Sequence, residues 1–289
     1  MELTEKIQTV GVIGAGQMGG GIAQLAALGG CRVIVQDVSA EAGEKCAASI
    51  TGALNKLEDK GRLSAEKKEK ARAALTFTQE LADLRNADFV IEAAPEILEL
   101  KQSIFQTLGE VCRKETVLCT NTSSLSVEQI MKNCIAPERC AGMHFFFPVH
   151  AMKLVEVIRA PQTAERTVSA VKAFAAVLGK TAVECKTDSP GFIVNRCLFA
   201  FMLEAIRLYE EGVADVQDID TAIKLGLNHP LGPFEMMDLS GLDTFPHVTE
   251  SLESLPITTW QCPASVKELV AEGKLGRKSG EGWYIYHQK

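Results

Sequence analysis

Short apolar runs alternate with helical-period stretches along most of the chain. Val10–Ile13 has the pattern of a buried strand and is followed at once by Gly14-Ala15-Gly16-Gln17-Met18-Gly19. Residues 20–28 then predict a helix, with Gly29-Gly30 as its C-terminal stop. Arg32–Val35 predicts a second strand ending at Asp37, and residues 41–59 a long polar helix broken at Gly61. Phe89–Ile91 and Val117–Cys119 predict further strands, with a helical period over residues 96–111 between them. Strands alternating with helices and punctuated by glycine predict an α/β fold built on a doubly wound, largely parallel sheet. Ala141–Phe147 and Leu154–Ile158 lie closer together, as neighbouring strands joined by a turn at Pro148. After Val183–Cys185 the pattern turns helical over residues 191–211, 216–225 and 233–239, separated by glycine and proline. The change near Asp188-Ser189-Pro190 divides the chain into residues 1–188, carrying the sheet, and a smaller all-helical domain at residues 189–289.

Composition narrows the class. A length of 289 residues is generous for one core and comfortable for two domains. With 46% hydrophobic and 23% charged residues the chain is neither disordered nor collagen-like. A net charge of −7 argues against a nucleic-acid binder, which needs a basic face to displace counterions. No run approaches the ~18 consecutive apolar residues of a membrane span. The acidic start Met1-Glu2 does not read as a secretory leader. Nine scattered cysteines without a C-x-x-C pair fit reduced thiols in a cytoplasmic protein, with no metal site expected.

Two constellations carry chemistry. The first is G-x-G-x-x-G between a strand and a helix, with Asp37 closing the next strand 18 residues beyond Gly19. Gly14 permits the tight turn, Gly16 lets a pyrophosphate approach the backbone, and Gly19 lets helix and strand pack closely. The helix start offers its N–H groups to the anion. Asp37 suits a ribose diol and repels a 2′-phosphate, which favours NAD over NADP, although Arg32 nearby is a residue type that accepts that phosphate. The second lies in Met143–Pro148 and Lys153–Glu156. His144 interrupts an apolar run, and Glu156 sits between Val155 and Val157 in the next strand. On adjoining strands the carboxylate would orient the imidazole as a general base; a purely structural pair is the other reading. The hydroxyls of Asn121-Thr122-Ser123-Ser124 either cap the following helix or face a ligand beyond the strand end. Asn195 lies on the first turns of a long helix.

Taken together these segments resemble the L-3-hydroxyacyl-CoA dehydrogenase family, which includes bacterial 3-hydroxybutyryl-CoA dehydrogenases. The matching text includes Gly14–Ala23, Asn121–Leu125, Gly142–Phe146, Lys153–Val157, Asp188–Arg196, Gly226–Glu235 and Gly276–Tyr284, and covers nearly the whole chain. The resemblance implies a Rossmann-type NAD domain followed by a helical domain that binds substrate and pairs two copies. It implies that His144 is the catalytic base, that Glu156 orients it, and that Ser123 and Asn195 bond the substrate oxygen. It assigns Gly14, Gly16, Gln17, Met18, Gly19, Asp37, Glu96, Lys101, Ser123 and Lys278 to the cofactor, and Lys60 to CoA. Residues 56–72 hold seven basic against four acidic residues, an excess suited either to polyanionic CoA or to an ordinary solvated helix.

The chain departs from the family text in two places. A family serine that contacts CoA is Ala53 here, and the asparagine of His-Phe-Phe-Asn-Pro, which meets the nicotinamide end, is Phe147. The expectation is weakened or rearranged cofactor binding with the chemistry intact. Two competing readings remain: a crystallin-like hydroxyacid or sugar-acid dehydrogenase that does not use CoA, and a non-catalytic NAD-binding protein.

Overall fold

Eight strands, with the helices that connect them, make up the first part of the computed structural model, which describes residues 7–246, 249 and 262–286. The chain divides into two units, Met1–Ser189 and Pro190–Lys289. In the first, the strands are β1 (Thr9–Ile13), β2 (Arg32–Gln36), β3 (Leu75–Thr78), β4 (Phe89–Glu92), β5 (Val117–Thr120), β6 (Cys140–Phe145), β7 (Leu154–Ile158) and β8 (Thr181–Cys185). They form one sheet in the order β3-β2-β1-β4-β5-β6-β7-β8. β1 to β6 pair in parallel, and β7 turns antiparallel to β6 and parallel to β8.

The apolar runs become strands because the sheet is covered on both faces. Val10, Val12, Phe89, Val90 and Ile91 are each 0% exposed, as expected of a parallel sheet under helices. Helices α1 (Gln17–Leu28), α2 (Ala40–Asp59), α3 (Ala65–Ala73), α4 (Leu98–Val111), α5 (Val127–Ile130) and α6 (Glu165–Val177) supply that cover. Ile22 and Ala26 of α1, Ile50 and Leu54 of α2, and Val171 and Phe174 of α6 join the sheet in one core. Strand order reverses between β1 and β4, and in open α/β sheets ligands bind beyond the strand ends at such a point.

The structure differs from the sequence pattern in places. β3 was not anticipated, because Leu-Thr-Phe-Thr is short and half-polar, as befits an edge strand. β6 ends at Phe145 rather than Phe147, since the chain turns away ahead of Pro148, which has no N–H for a ladder.

The second unit holds α7 (Val194–Glu210), α8 (Val216–Gly226), α9 (Pro233–Ser240) and α10 (Ala264–Ala271). Phe199, Met202, Ile206, Phe234 and Met237 form its core. Two buried carboxylates tie it together. Asp220 accepts from the N–H groups of Phe234 (2.9 Å) and Glu235 (3.0 Å), capping α9 from another helix. Asp238 accepts from the Trp283 N–H at 3.0 Å and the Tyr286 hydroxyl at 2.7 Å, which latches the C-terminal segment. Among the described residues no helix is long and apolar enough to cross a membrane.

Candidate active site

The turn after β1 is shaped by three glycines in three ways. Gly14 has a φ of +93°, and a Cβ there would lie 2.5 Å from the Ala93 carbonyl oxygen. A Cβ on Gly19 would lie 1.8 Å from the Gly14 oxygen, so nothing larger fits where α1 crosses the turn. Gly16 is exposed, with nothing within 4 Å of its Cβ position. It caps α1 without a side-chain bond, and no acidic residue occupies the first turn. The open N–H groups therefore present partial positive charge to an incoming phosphate.

Asp37, at the end of β2, spans this turn. Its Oδ2 accepts from the Ala15 N–H at 2.8 Å and its Oδ1 from the Ser39 N–H at 2.9 Å. It borders a cavity of about 340 Å³ whose walls include Val35, Gly43, Ala47 and Phe77. An apolar slot with one anchored carboxylate beside an open helix start fits an adenosine with its ribose and pyrophosphate. Gln17 lies in the same turn, exposed.

A second cavity, of about 360 Å³, opens beyond the ends of β4, β5 and β6. Met18, Glu96, Lys101, Asn121, Ser123, His144, Phe146 and Phe147 line it. β6 and β7 adjoin, and their register sets His144 directly opposite Glu156. The His144 Nδ1 and Glu156 Oε2 are 2.7 Å apart, with the two residues 5% and 0% exposed. The imidazole also rests against the Phe146 ring, centroids 4.5 Å apart. Burial removes competing water, which strengthens the pair and fixes the ring.

Behind the serine loop lies a network that the sequence did not disclose. The Lys101 ammonium, 1% exposed, bonds Glu92 at 2.6 Å, the Ala94 carbonyl at 3.1 Å and Glu96 at 3.2 Å. Glu96 in turn accepts from the Thr122 hydroxyl and from the N–H groups of Ser123 (2.9 Å) and Ser124 (3.2 Å). Burial resists ionisation of Glu96, but Lys101 and these donors outweigh it and hold the carboxyl below its ordinary value. Asn121 accepts from the Phe145 N–H at 2.9 Å, joining the loop to the histidine strand. The cap of α5 is Ser126, which accepts from the Gln129 N–H, so Ser123 and Ser124 are not needed for that task.

The remaining candidates belong to other elements. Asn195 is the second residue of α7 and Lys278 is ion-paired with Asp243, both in the second unit. Lys60 ends α2 and lines a cavity of about 740 Å³ with Lys56, Arg62, His150 and Gln24. Of the other basic residues in this stretch, Lys68, Lys70 and Arg72 are taken up by Glu58, Glu66 and Glu69. Lys56, Lys60 and Arg62 therefore share one cavity, while Lys67 is exposed outside it. Glu92 and Phe77 were missed, although an acid closing the apolar run Phe89–Ile91 was a visible signal.

Comparison with known proteins agrees with this geometry. Residues 9–189 match the 3-hydroxyacyl-CoA dehydrogenase NAD binding domain, and residues 191–286 the C-terminal domain of the same family. A 3-hydroxybutyryl-CoA dehydrogenase of Bradyrhizobium diazoefficiens is 44% identical, over 97% of this chain and 96% of its own. The human mitochondrial hydroxyacyl-coenzyme A dehydrogenase is 41% identical, over 97% and 91%. The crystal structure of (S)-3-hydroxybutyryl-CoA dehydrogenase from Ralstonia eutropha superposes with a TM-score of 0.94 at 39% identity, covering 98% of this chain and all of that one.

Proposed function

The chain belongs to the 3-hydroxyacyl-CoA dehydrogenase family, and from that premise we propose that it interconverts short-chain (S)-3-hydroxyacyl-CoA and 3-oxoacyl-CoA, 3-hydroxybutyryl-CoA foremost. It is an NAD-dependent oxidoreductase with both family domains present. The observation that carries the catalytic reading is the buried 2.7 Å bond between His144 and Glu156 on the wall of the second cavity.

With Nδ1 held by Glu156, proton exchange falls to Nε2 of His144. In oxidation that nitrogen takes the proton of the 3-hydroxyl, and Glu156 stabilises the imidazolium that forms. In reduction the imidazolium returns the proton to the oxygen. NAD, when bound, supplies the hydride acceptor, and its reduced form the donor. Gly14, Gly16, Gln17, Met18 and Gly19 would hold its pyrophosphate and Asp37 its ribose, while Glu96, Lys101, Ser123 and Lys278 serve the nicotinamide side. Ser123 and Asn195 bond the substrate oxygen and fix its approach. Lys60, joined by Lys56 and Arg62, meets the phosphates of CoA, with Ala53 offering no hydroxyl there.

Two copies pairing through the helical unit, and work in the cytoplasm, belong to the same reading. Leu225, Leu227 and Leu239 of this unit are 81%, 61% and 54% exposed, apolar surface that such pairing would cover.

The test is NADH oxidation measured with acetoacetyl-CoA, longer 3-oxoacyl-CoA esters and free acetoacetate, repeated with NADPH. Turnover is expected with the short CoA esters, little with NADPH and none with the free acid. Equal activity on free acetoacetate would replace this reading with that of a hydroxyacid dehydrogenase. Loss of turnover in His144→Ala, with NADH binding kept, is the result expected of a catalytic rather than a structural histidine.

A further inference from the structure

Away from the dehydrogenase site, the opposite end of the sheet gathers thiols. Cys134 follows α5 and Cys140 begins β6, and their sulfurs lie 3.5 Å apart with Cys140 donating its S–H to Cys134. They are 6% and 0% exposed. His144 is four residues along the same strand, about 13 Å away at the usual rise.

Three features separate this pair from the other cysteines. A cavity of about 680 Å³ is lined by residues that flank the pair, Gly109, Ile135, Ala136 and Arg139 among them, with neither cysteine in its wall. The Cys134 sulfur sits just behind that wall, 3.2 Å from where a Cβ on Gly109 would be. Arg139, 4% exposed, donates to the carbonyls of Arg113 and Gly109, while its Nε has no hydrogen-bond partner among the described residues. The Cys140 S–H bond, reinforced by the Ala136 backbone and the Arg139 charge, prevails over burial and brings the Cys134 thiol down to about 6. The same bond, with burial, pushes Cys140 well up, and burial likewise raises Cys31, Cys46, Cys112, Cys119, Cys185 and Cys262, Cys112 and Cys185 to about 11, so the lowered thiol is Cys134.

We propose that Cys134 and Cys140 are an oxidisable dithiol, a site at which a small peroxide entering the adjoining cavity is reduced and the pair closes to a disulfide. The Cys134 thiolate attacks one peroxide oxygen, the O–O bond breaks, hydroxide leaves, and Cys134 becomes a sulfenic acid. The Cys140 sulfur then attacks the Cys134 sulfur and displaces the oxygen as water, taking the Cys140 proton with it. The sulfurs are oxidised by two electrons in all and the peroxide is reduced by two. The separation must close to about 2.05 Å, a movement within reach of two side chains on a loop of this length.

The test uses the whole reduced protein, treated with a slight excess of hydrogen peroxide, then unfolded in urea containing N-ethylmaleimide so that every remaining thiol is labelled, and mapped by peptide mass spectrometry. Trypsin cuts after Lys132, Arg139 and Lys153, so the disulfide joins peptide 133–139 to peptide 140–153, two hydrogens lighter than their sum. That cross-link is expected before the exposed Cys197 loses its label, and dithiothreitol reverses it. Cys112, Cys119, Glu138 and Arg139 are the titratable and charged groups that act on the pair, and Arg113 acts on Cys112. With them in place the rate rises through pH 6 and levels, rather than climbing through ~8.5 as for an ordinary thiol. In Cys140→Ser, Cys134 stops at the sulfenic acid and is trapped by dimedone. The proposal is overturned if Cys134 and Cys140 of the unaltered protein still take up maleimide after Cys197 has been oxidised.

Discussion

Replacing Glu156 by glutamine isolates the charge that the proposed mechanism assigns to this residue. The side chain is 0% exposed and bonds His144 across the strand pair at 2.7 Å, with Val155 and Val157 on either side equally buried. Glutamine keeps the volume and an acceptor oxygen, so the ring is still held, but the partner of the forming imidazolium becomes neutral. Hydrogen bonds to charged groups contribute about 1.5–3 kcal/mol against ~1 for neutral ones. The difference, about 0.5–2 kcal/mol, is what the substitution removes as the imidazolium develops, so Glu156→Gln lowers kcat for acetoacetyl-CoA reduction about 2- to 30-fold at 1.36 kcal/mol per decade. The Michaelis constant for the CoA ester is expected to stay within about two-fold, because neither group grips the nucleotide end of the substrate. Steady-state NADH oxidation, with circular dichroism to establish folding, decides it. A kcat equal to that of the parent enzyme would show that the charge does no catalytic work and that the pair is structural.

Four further outcomes follow from the same coordinates. Phe147 is 63% exposed at the rim of the second cavity, so Phe147→Asn is expected to leave stability alone and lower the NADH Michaelis constant; an unchanged constant removes the idea that this ring weakens cofactor binding. Gly19→Ala drives a methyl into the Gly14 oxygen and should cost about 1–3 kcal/mol in urea unfolding, whereas Gly16→Ala, with open space above it, should unfold normally and bind NADH more weakly. Lys60→Ala is expected to raise the Michaelis constant for acetoacetyl-CoA but not for NADH; equal effects on both would detach Lys60 from CoA. Glu96 is held below its ordinary value, so its ionised form contributes stability that is complete above the unfolded value of ~4.3 and is lost as pH falls through the folded one. Urea unfolding should therefore find Glu96→Gln weaker than the parent at neutral pH, with the gap closing below pH ~4; a gap that persists there means the loss is steric.

Much of the fold was legible because the pattern and the physics coincide. Apolar runs such as Val10–Ile13 and Phe89–Ile91 have no alternative to burial, and glycine at each joint marks the turn. β3 escaped because an edge strand needs little apolar content, and Leu75–Thr78 is held mainly by its parallel pairing with β2. The glycine turn after β1 was legible for a related reason: Gly14 needs its positive φ, Gly16 opens to space and Gly19 meets the Gly14 oxygen, although the clash that excludes a side chain at Gly14 comes from Ala93 after β4. The Lys101–Glu96 network was not legible as such. Its members lie in β4, α4 and the loop after β5, and only the sheet order brings those segments together.

The same distinction explains why His144 and Glu156 read as candidates before they read as a pair. A strand buried on both faces makes every polar side chain costly unless a partner meets it. Polar residues in apolar strands therefore announce that partners exist, without naming them. Glu92 meets Lys101 and the Thr120 hydroxyl, the latter at 2.7 Å, and Asn121 meets the backbone of Phe145. For His144 the partner depends on register: Gly142 opposite Ile158, Met143 opposite Val157, His144 opposite Glu156. A slip of one residue would put a valine opposite the histidine and turn the carboxylate to the other face of the sheet. The register is in turn held where Gly142 meets Ile158, since a Cβ on that glycine would lie 2.7 Å from the isoleucine side chain. A glycine thus helps decide which residue His144 faces, and that dependence is visible only once the two strands are side by side.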